Sequence, residues 1–369
     1  MPHFDIVREC SPKKTFRVAS VMGTFDLESH HVKEHFVGDI KLPQDWSIGL
    51  IVGNSGTGKT TIAKELFPDS YITNFEYHAE TVLDDMPKGC SVEDITKAFN
   101  SVGFSSPRSW LKPYHVLSGG EKMRCDLARA MLTDNELFVF DEFTSVVDRN
   151  VAKIGSFAIQ KAIRKNGKKR MIAVGCHFDV EDWLLPDWVF DTNTMTFRTC
   201  EAQKKNRPEC EFRIFEVNGV AEKKYYWSMF SKYHYLSHTH NYAARVFIGT
   251  LNGDVCSYVS ILPFPHPKVK NTYRGHRTVV LPDFQGIGIG VLMSDWVAEY
   301  YKQHGKTMIC VTSAPSLIHA RRKSKKWILT ALGRKNKPKN KNVSKISFSS
   351  ASSDRITASF QYVGEKNNK

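Results

Sequence analysis

The 369-residue sequence contains no run of eighteen apolar residues, so it offers no candidate for a membrane-spanning helix. Its first residues, Met1-Pro2-His3-Phe4-Asp5, lack the basic-then-apolar pattern of a secretory leader. The eight cysteines (10, 90, 125, 176, 200, 210, 256 and 310) include no C-x-x-C pair. That disfavours a disulfide framework or a zinc ribbon, and it suits reduced thiols in a cytoplasm. Acid is missing where base is densest: residues 321–345 hold eleven Lys or Arg and no Asp or Glu. Such a run attracts polyanions through counterion release, so nucleic acid is an expected partner; the plainer alternative is a solvated segment.

What is present is the composition of a globular protein, 41% hydrophobic and 24% charged, with a net charge of +14. The length exceeds one ordinary core, so two domains are expected. The most informative stretch is Gly53-Asn54-Ser55-Gly56-Thr57-Gly58-Lys59-Thr60, followed by Thr61, which fits G-x-x-x-x-G-K-[ST]. It follows the apolar run 48–52 and precedes a helical pattern of Ile62, Ala63, Leu66 and Phe67 that Pro68 stops. Glycines there let backbone N–H groups turn around a phosphate chain, and the helix N-terminus adds a favourable dipole. Lys59 is placed to reach the β- and γ-phosphates of ATP, and the Thr60 hydroxyl to ligate Mg²⁺.

Before this loop, 15–19 and 35–40 look strand-like, and Phe25 or Phe36 could stack on adenine, although an aromatic in an early strand is more often core. After it comes Leu117-Ser118-Gly119-Gly120-Glu121, leading into a helix with Met123, Leu127, Ala130 and Met131 on one face. Ser118 and Glu121 fit a capping box, which accounts for those two residues but not for the paired glycines. A buried strand at 136–140 ends in Asp141-Glu142, adjacent carboxylates that are expensive at a core edge unless used. Then come Ser145-Val146-Val147-Asp148, a helix around 151–165, and a second buried strand ending at Cys176-His177.

Motifs of this type in this order resemble the nucleotide-binding domain of the ABC ATPase superfamily across residues 14–198. The resemblance implies that Asp141 holds Mg²⁺ through water and that Glu142 is the general base for the attacking water. It further implies that His177 senses the γ-phosphate, and that Ser118, Gly119 and Gly120 contact the γ-phosphate held by a second copy. Asp148 would couple the two sites. The implied assembly is a head-to-tail homodimer with ATP between the copies. Two departures weaken a transporter role. Lys59 and Ser118 are only 59 positions apart, and there is no Gln between Gln44 and Gln160 to link nucleotide to a membrane partner. Glu76, His78 or Glu80 could stand in for that Gln.

Polar residues around 199–209 mark a linker. An aromatic-dense stretch follows, in which Tyr225, Tyr226, Trp227, Phe230 and Tyr233 are expected mainly in a core. His234, His238 and His240 raise a metal reading, but no Cys or carboxylate accompanies them at ligand spacing. Strands at 245–249, 255–262 and 278–284 lead into Gln285-Gly286-Ile287-Gly288-Ile289-Gly290, a helix over 291–304 and a strand at 307–312. A dinucleotide fingerprint would need an acid about twenty residues on, where position 306 is Lys. The combination instead resembles the GNAT acyltransferase fold across residues 210–364, closed by a strand at 358–363. That resemblance implies an acyl-CoA site, with acetyl-CoA as the expected donor. Its members are Leu281, Gln285, Gly286, Ile287, Gly288, Ile289 and Gly290, with the backbone of 280–282 pairing with the pantetheine arm. The acid and base stay open: His234, Tyr235 and Asp283 lead, with His276, Ser313 and His319 behind, since the helix expected over 317–329 lacks a Tyr. The stretch Tyr233-His234-Tyr235-Leu236-Ser237-His238 resembles the Mom-type phage enzymes that modify adenine in DNA.

The expected architecture is therefore α/β in two domains: an ABC-type domain (1–198), a linker (199–209) and a GNAT-like domain (210–364) with a basic insertion near 321–345. The leading expectation is a soluble ATPase whose second domain acylates nucleic acid. A nucleic-acid clamp with a non-catalytic GNAT fold, or a transporter ATPase subunit, are the alternatives.

Overall fold

A computed structural model describes every residue except 1–2, 11–12, 14, 27–31, 201–209, 235–237, 268, 335–355 and 366–369. The chain divides into two units, Met1–Val102 with Lys112–Pro208, and Gly103–Leu111 with Glu209–Lys369.

The first unit opens with a hairpin of β1 (His3–Cys10) and β2 (Val32–Asp39), paired antiparallel around α1 (Phe16–Thr24). The strand expected at 15–19 is thus a helix. Thr15 caps it, its hydroxyl accepting the Val18 N–H at 3.3 Å, which commits the next residues to helical geometry. The central sheet comprises β3 (Ile48–Val52), β4 (Tyr71–Ile72), β5 (Leu137–Phe140), β6 (Arg170–Gly175), β7 (Trp188–Asp191) and β8 (Thr196–Thr199). Their order is β4-β5-β6-β3-β7-β8, parallel except for β7 with β8. All five residues of β3 are buried, as a strand covered on both faces requires. Helices α2 (Lys59–Leu66), α3 (Val92–Ser101), α5 (Gly119–Leu132), α6 (Arg149–Asn166) and α7 (Val180–Leu184) complete the unit. Trp188, Phe190, Val139, Ile172 and Ile62 share one core with Phe4 and Phe36 of the hairpin. Each such buried side chain contributes about 1.5–3 kcal/mol.

In the second unit, β9 (Phe212–Val217), β10 (Arg245–Leu251), β11 (Asp254–Pro263), β12 (Thr272–Val280), β13 (Thr307–Thr312), β14 (Trp327–Arg334) and β15 (Ile356–Tyr362) form one sheet, ordered β14-β15-β13-β12-β11-β10-β9. One face packs on α9 (Ile289–Gln303) through Met293, Val297 and Tyr301. The other packs on α8 (Val220–Phe230) through Trp227 and Phe230. The short helix α4 (Pro107–Trp110) also belongs to this unit. After β13, α10 (Pro315–Lys323) ends well short of the helix expected to 329, because Trp327 already starts β14. Every strand pair is antiparallel except β12 with β13, which run parallel and pair only over 272–274 against 307–309. Past that point β12 continues to Val280 on β11 while β13 continues on β15, so the sheet opens between them.

Candidate functional site

In a parallel sheet the loops after the strands gather at one edge, where ligands bind. Here β3 delivers the phosphate loop, its neighbour β6 delivers His177, and the next strand, β5, delivers Asp141 and Glu142. The phosphate loop, Asp141, Glu142 and His177 therefore share that edge. Gly56 and Gly58 adopt φ of 85° and 81°, which side chains rarely tolerate. The loop is held by its own polar groups and by the strand after β7. Asn54 N–H donates to Asn193 Oδ1 at 2.9 Å, and Thr57 Oγ1 lies 2.5 Å from Thr192 Oγ1. Lys59 Nζ lies across the loop and donates to Asn54 O at 2.6 Å. Phe36 is buried and touches Gly58 so closely that a Cβ there would come within 2.6 Å of its ring. It backs the loop from inside the core and cannot stack on adenine, whereas Phe25 is 70% exposed.

The Thr60 hydroxyl donates to Asp141 Oδ2 at 2.8 Å, and the Glu142 N–H donates to Asp141 Oδ1 at 2.8 Å. A hydroxyl beside a carboxylate is a hard-oxygen pair of the kind Mg²⁺ takes. Glu142 has φ of 51° and Thr144 68°, conformations that cost on the order of 1–3 kcal/mol each. Phe143 N–H bonds Val174 O at 2.8 Å and pins that strained turn to β6. His177 follows β6, its Nδ1 3.6 Å from Cys176 Sγ. Ser118 caps α5 in a full capping box: its hydroxyl accepts Glu121 N–H at 3.3 Å, and Glu121 Oε2 accepts Ser118 N–H at 3.0 Å. The paired glycines, which the box does not require, have a steric reason at Gly119, where a Cβ would sit 3.1 Å from Val146 O. Asp148 caps α6 by accepting Val151 N–H at 3.0 Å.

Glu76 and His78 pair with each other at 3.2 Å on the surface, their side chains 84% and 80% exposed. Neither is joined to the phosphate edge by that contact. The group that does reach Asp141 from this part of the chain is Tyr71, whose hydroxyl donates to Oδ2. Burial, then the Asp141 carboxylate, pushes its phenol above the ordinary range, so it remains a donor. Sequence reading missed Tyr71; the signal was its place on the strand beside β5.

In the second unit Gly286 and Gly288 take φ of 92° and 104°. The first hydrogen bonds of α9 come from Val291 and Leu292 N–H, both to Gly288 O at 3.1 Å, which leaves the Ile289 and Gly290 amides ahead of the ladder. Those amides suit a pyrophosphate. Gln285 braces the loop: its Nε2 donates to Val280 O at 2.9 Å, and its Oε1 accepts Ser105 N–H at 3.1 Å. Leu281 has both backbone groups engaged, its N–H on Cys256 O at 2.9 Å and its O on Phe284 N–H at 3.0 Å. Pairing of that residue with a pantetheine arm would have to break one of these.

The acyl-transfer candidates scatter. Asp283 is exposed in a short turn, His234 is 4% exposed with its ring 6.0 Å from Trp227, and Tyr235 lies outside the described residues. Ser313 and His319 line a separate groove of about 770 Å³ with Arg322 and Lys323. His276, by contrast, is the extra residue of a bulge, since Ser260 pairs with Arg277 and Ile261 with Gly275. It lies on the stretch of β12 past its pairing with β13. Bulges re-aim a side chain and gather beside active sites. Its ring is 5.2 Å from that of His240, whose Nε2 is 2.9 Å from Tyr258 Oη. Burial, then Arg277, pushes both imidazoles down to about 4, so they are neutral at neutral pH. Sequence reading placed His240 in an aromatic stretch expected mainly in a core, with metal binding as the alternative, and did not find Tyr258. Among the described residues no group of three or more His, Cys, Asp or Glu could hold a metal ion.

The basic run is also reshaped by folding. Arg321 is 1% exposed, stacked 4.1 Å over Trp327 and bonded to Ser294 Oγ at 2.5 Å. Lys326 pairs with Glu365 at 3.0 Å, an acid far from the run in sequence. Arg321 therefore drops out of the polyanion surface; positions 335–345 lie outside the described residues. No helix among the described residues is long and apolar enough to cross a membrane.

The family model described as ABC transporter matches residues 69–145, and the one described as acetyltransferase (GNAT) family matches residues 200–322. The protein is thus an α/β chain that carries an ABC-type ATPase domain matched over 69–145 and a GNAT-type acetyltransferase domain matched over 200–322. It is 32% identical over 119 residues to the NU+ prion formation protein 1 of Saccharomyces cerevisiae, covering 27% of this chain and 10% of that protein. It is 31% identical over 105 residues to a probable ATP-binding cassette sub-family F member 3 homolog of Encephalitozoon cuniculi, covering 27% of this chain and 19% of the relative. A probable metal transport system ATP-binding protein of Thermotoga maritima is 29% identical over 149 residues, covering 34% of this chain and 61% of that one. The chain spans less than two thirds of the length of these curated relatives. Among solved structures, a dimeric ATP-binding cassette with ADP and Pi shows 14% identity at a TM-score of 0.35, covering 43% of this chain and 87% of that one. An IAA acetyltransferase from Bacillus cereus shows 14% identity at a TM-score of 0.30, covering 41% of this chain and 99% of that one.

Proposed function

We propose that the first unit hydrolyses ATP as a head-to-tail homodimer, and that the second unit transfers an acyl group from acyl-CoA, acetyl-CoA being the expected donor, to nucleic acid. The observation that carries the ATPase reading is the convergence of Lys59, Thr60, Asp141, Glu142 and His177 at one sheet edge. Lys59 and the loop amides hold the phosphates, Glu142 takes a proton from the attacking water, and His177 orients the γ-phosphate. Thr60 and Asp141 would hold Mg²⁺, which neutralises charge on the phosphates. The exposed Ser118 and Gly119 at the start of α5 serve the partner's ATP.

Acyl transfer is supported by the opening between β12 and β13 and by the glycine loop at the head of α9. The acceptor nitrogen attacks the thioester carbonyl carbon, the C–S bond breaks, and CoA leaves as a thiolate that takes up a proton. His276 is the proton acceptor we assign, neutral at working pH and seated on the open stretch of β12. The remaining exposed cations of the basic run, Arg322, Lys323 and Lys325, favour a polyanionic acceptor.

The test is to incubate the full chain with labelled acetyl-CoA, MgATP and DNA or RNA. Label in the nucleic acid, lost in His276→Gln, is the expected result. Label only in protein overturns the nucleic-acid assignment. The absence of any CoA-induced thermal shift favours a clamp whose second unit does no acyl chemistry.

A further inference from the structure

We propose that Tyr71 is a positioning residue of the ATP site, holding Asp141 in the orientation from which it serves the metal. The inference rests on the ATPase reading above.

The placement follows from sheet geometry. β4 lies beside β5 in parallel register, Tyr71 opposite Val139. Asp141 follows directly on the end of β5, two residues beyond Val139 toward the catalytic edge. A tyrosine is long enough to cover that step, and its hydroxyl donates to Asp141 Oδ2. The ring is fixed in turn, half-buried against the core and covered by Lys64, whose Nζ is 5.0 Å from its centroid. Lys64 lies one turn along α2 from Thr60, so a single helix face presents both the hydroxyl and the cover.

Asp141 is anchored at both oxygens. Oδ1 accepts Glu142 N–H at 2.8 Å, and Oδ2 accepts the hydroxyls of Tyr71 and Thr60, the latter at 2.8 Å. A threonine that gives its proton to Asp141 keeps its oxygen lone pairs for a cation. Tyr71 restrains the carboxylate plane that makes this possible, independently of what Thr60 binds. No Gln lies between Gln44 and Gln160, and β4 with the two residues after it reads Tyr71-Ile72-Thr73-Asn74. The tie from this edge to the phosphate site is therefore a phenol acting on Asp141. The same segment is clasped to α5. Tyr77 and Tyr114 stack at 3.9 Å and donate to the two oxygens of Asp126 at 2.7 Å each, and Arg129 donates to Glu76 O at 2.7 Å.

The experiment measures binding of a fluorescent ATP analogue to the full chain, with Mg²⁺ and with EDTA, for the wild type, Tyr71→Phe, Asp141→Asn and the double variant. Loss of an outer-shell partner typically costs about 10–100-fold in metal affinity. Tyr71→Phe should therefore need roughly tenfold more Mg²⁺ for half-maximal binding, with affinity in EDTA unchanged. In the Asp141→Asn background the same change should add nothing, because Tyr71 acts through that carboxylate. Equal Mg²⁺ dependence in wild type and Tyr71→Phe, or losses that add in the double variant, overturn the inference. A wild type that does not bind the analogue overturns the ATPase reading with it. Should Tyr71→Phe prove unfolded, Tyr71→His, which keeps a donor, replaces it and should retain part of the Mg²⁺ dependence; a complete loss there counts against the proposal.

Discussion

In the first unit the chemistry-bearing residues follow three neighbouring parallel strands, whereas in the second they are dealt out among a bulge, a glycine loop and a partly buried aromatic cluster. A parallel sheet sends every strand's exit to the same edge, so short motifs far apart in sequence arrive together. The antiparallel sheet alternates its strand ends, and its one useful asymmetry is the parallel pair that parts after three residues. The consequence is that the first site tolerates little change in single motif residues, while the second depends on shape and on burial of its histidines.

The largest effect that separates the two is Lys59→Ala. ATP turnover should fall by about a hundredfold or more, the scale of losing one preorganised charge in a site of this kind. Acetyl-CoA binding, read by calorimetry, should be unchanged. Loss of both together would mean that the sites are not independent in binding. The complementary change is Gly288→Ala, which puts a side chain at φ of 104°. Strain of about 1–3 kcal/mol should weaken acetyl-CoA binding by roughly tenfold and leave ATP turnover intact. An unchanged CoA affinity would detach that loop from the cofactor.

The smallest effect is one of pH. His240 and His276 titrate near 6.5 when unfolded and near 4 in the fold. Between those values the unfolded chain binds more protons than the folded one, so stability rises with pH across that window and is lost as pH falls through it. Both rings are part-exposed, which limits the effect to roughly 2–4 °C in melting temperature. A His240→Gln, His276→Gln double variant should show a flatter melting temperature between pH 6.5 and 4. An identical slope would place the rings outside the titrating set.

What was legible in the sequence was what is local. The phosphate loop, the serine–glycine turn and Asp141-Glu142 are contiguous, and their strand or helix context is written in the flanking residues. Tyr71 could not be read that way, because its partner is 70 positions on and only the β4–β5 register joins them. His240 and Tyr258 meet across 18 positions that include the whole of β10, and both look like core aromatics from sequence. Phe36 bears out the commoner reading of an aromatic in an early strand, a core residue, while Arg321, one member of the basic run, is buried by packing that no local pattern announces. The strand expected at 15–19 failed because one threonine cap outweighed β-propensity in a short segment.

The most direct test mixes two inactive proteins, Lys59→Ala and Ser118→Arg, and measures ATP turnover. If the lysine of one copy and the serine turn of the other make one site, half of the random dimers regain one of their two sites. Turnover should then recover to about a quarter of the wild-type rate. No recovery on mixing, or full turnover by either variant alone, would contradict ATP clasped between paired copies.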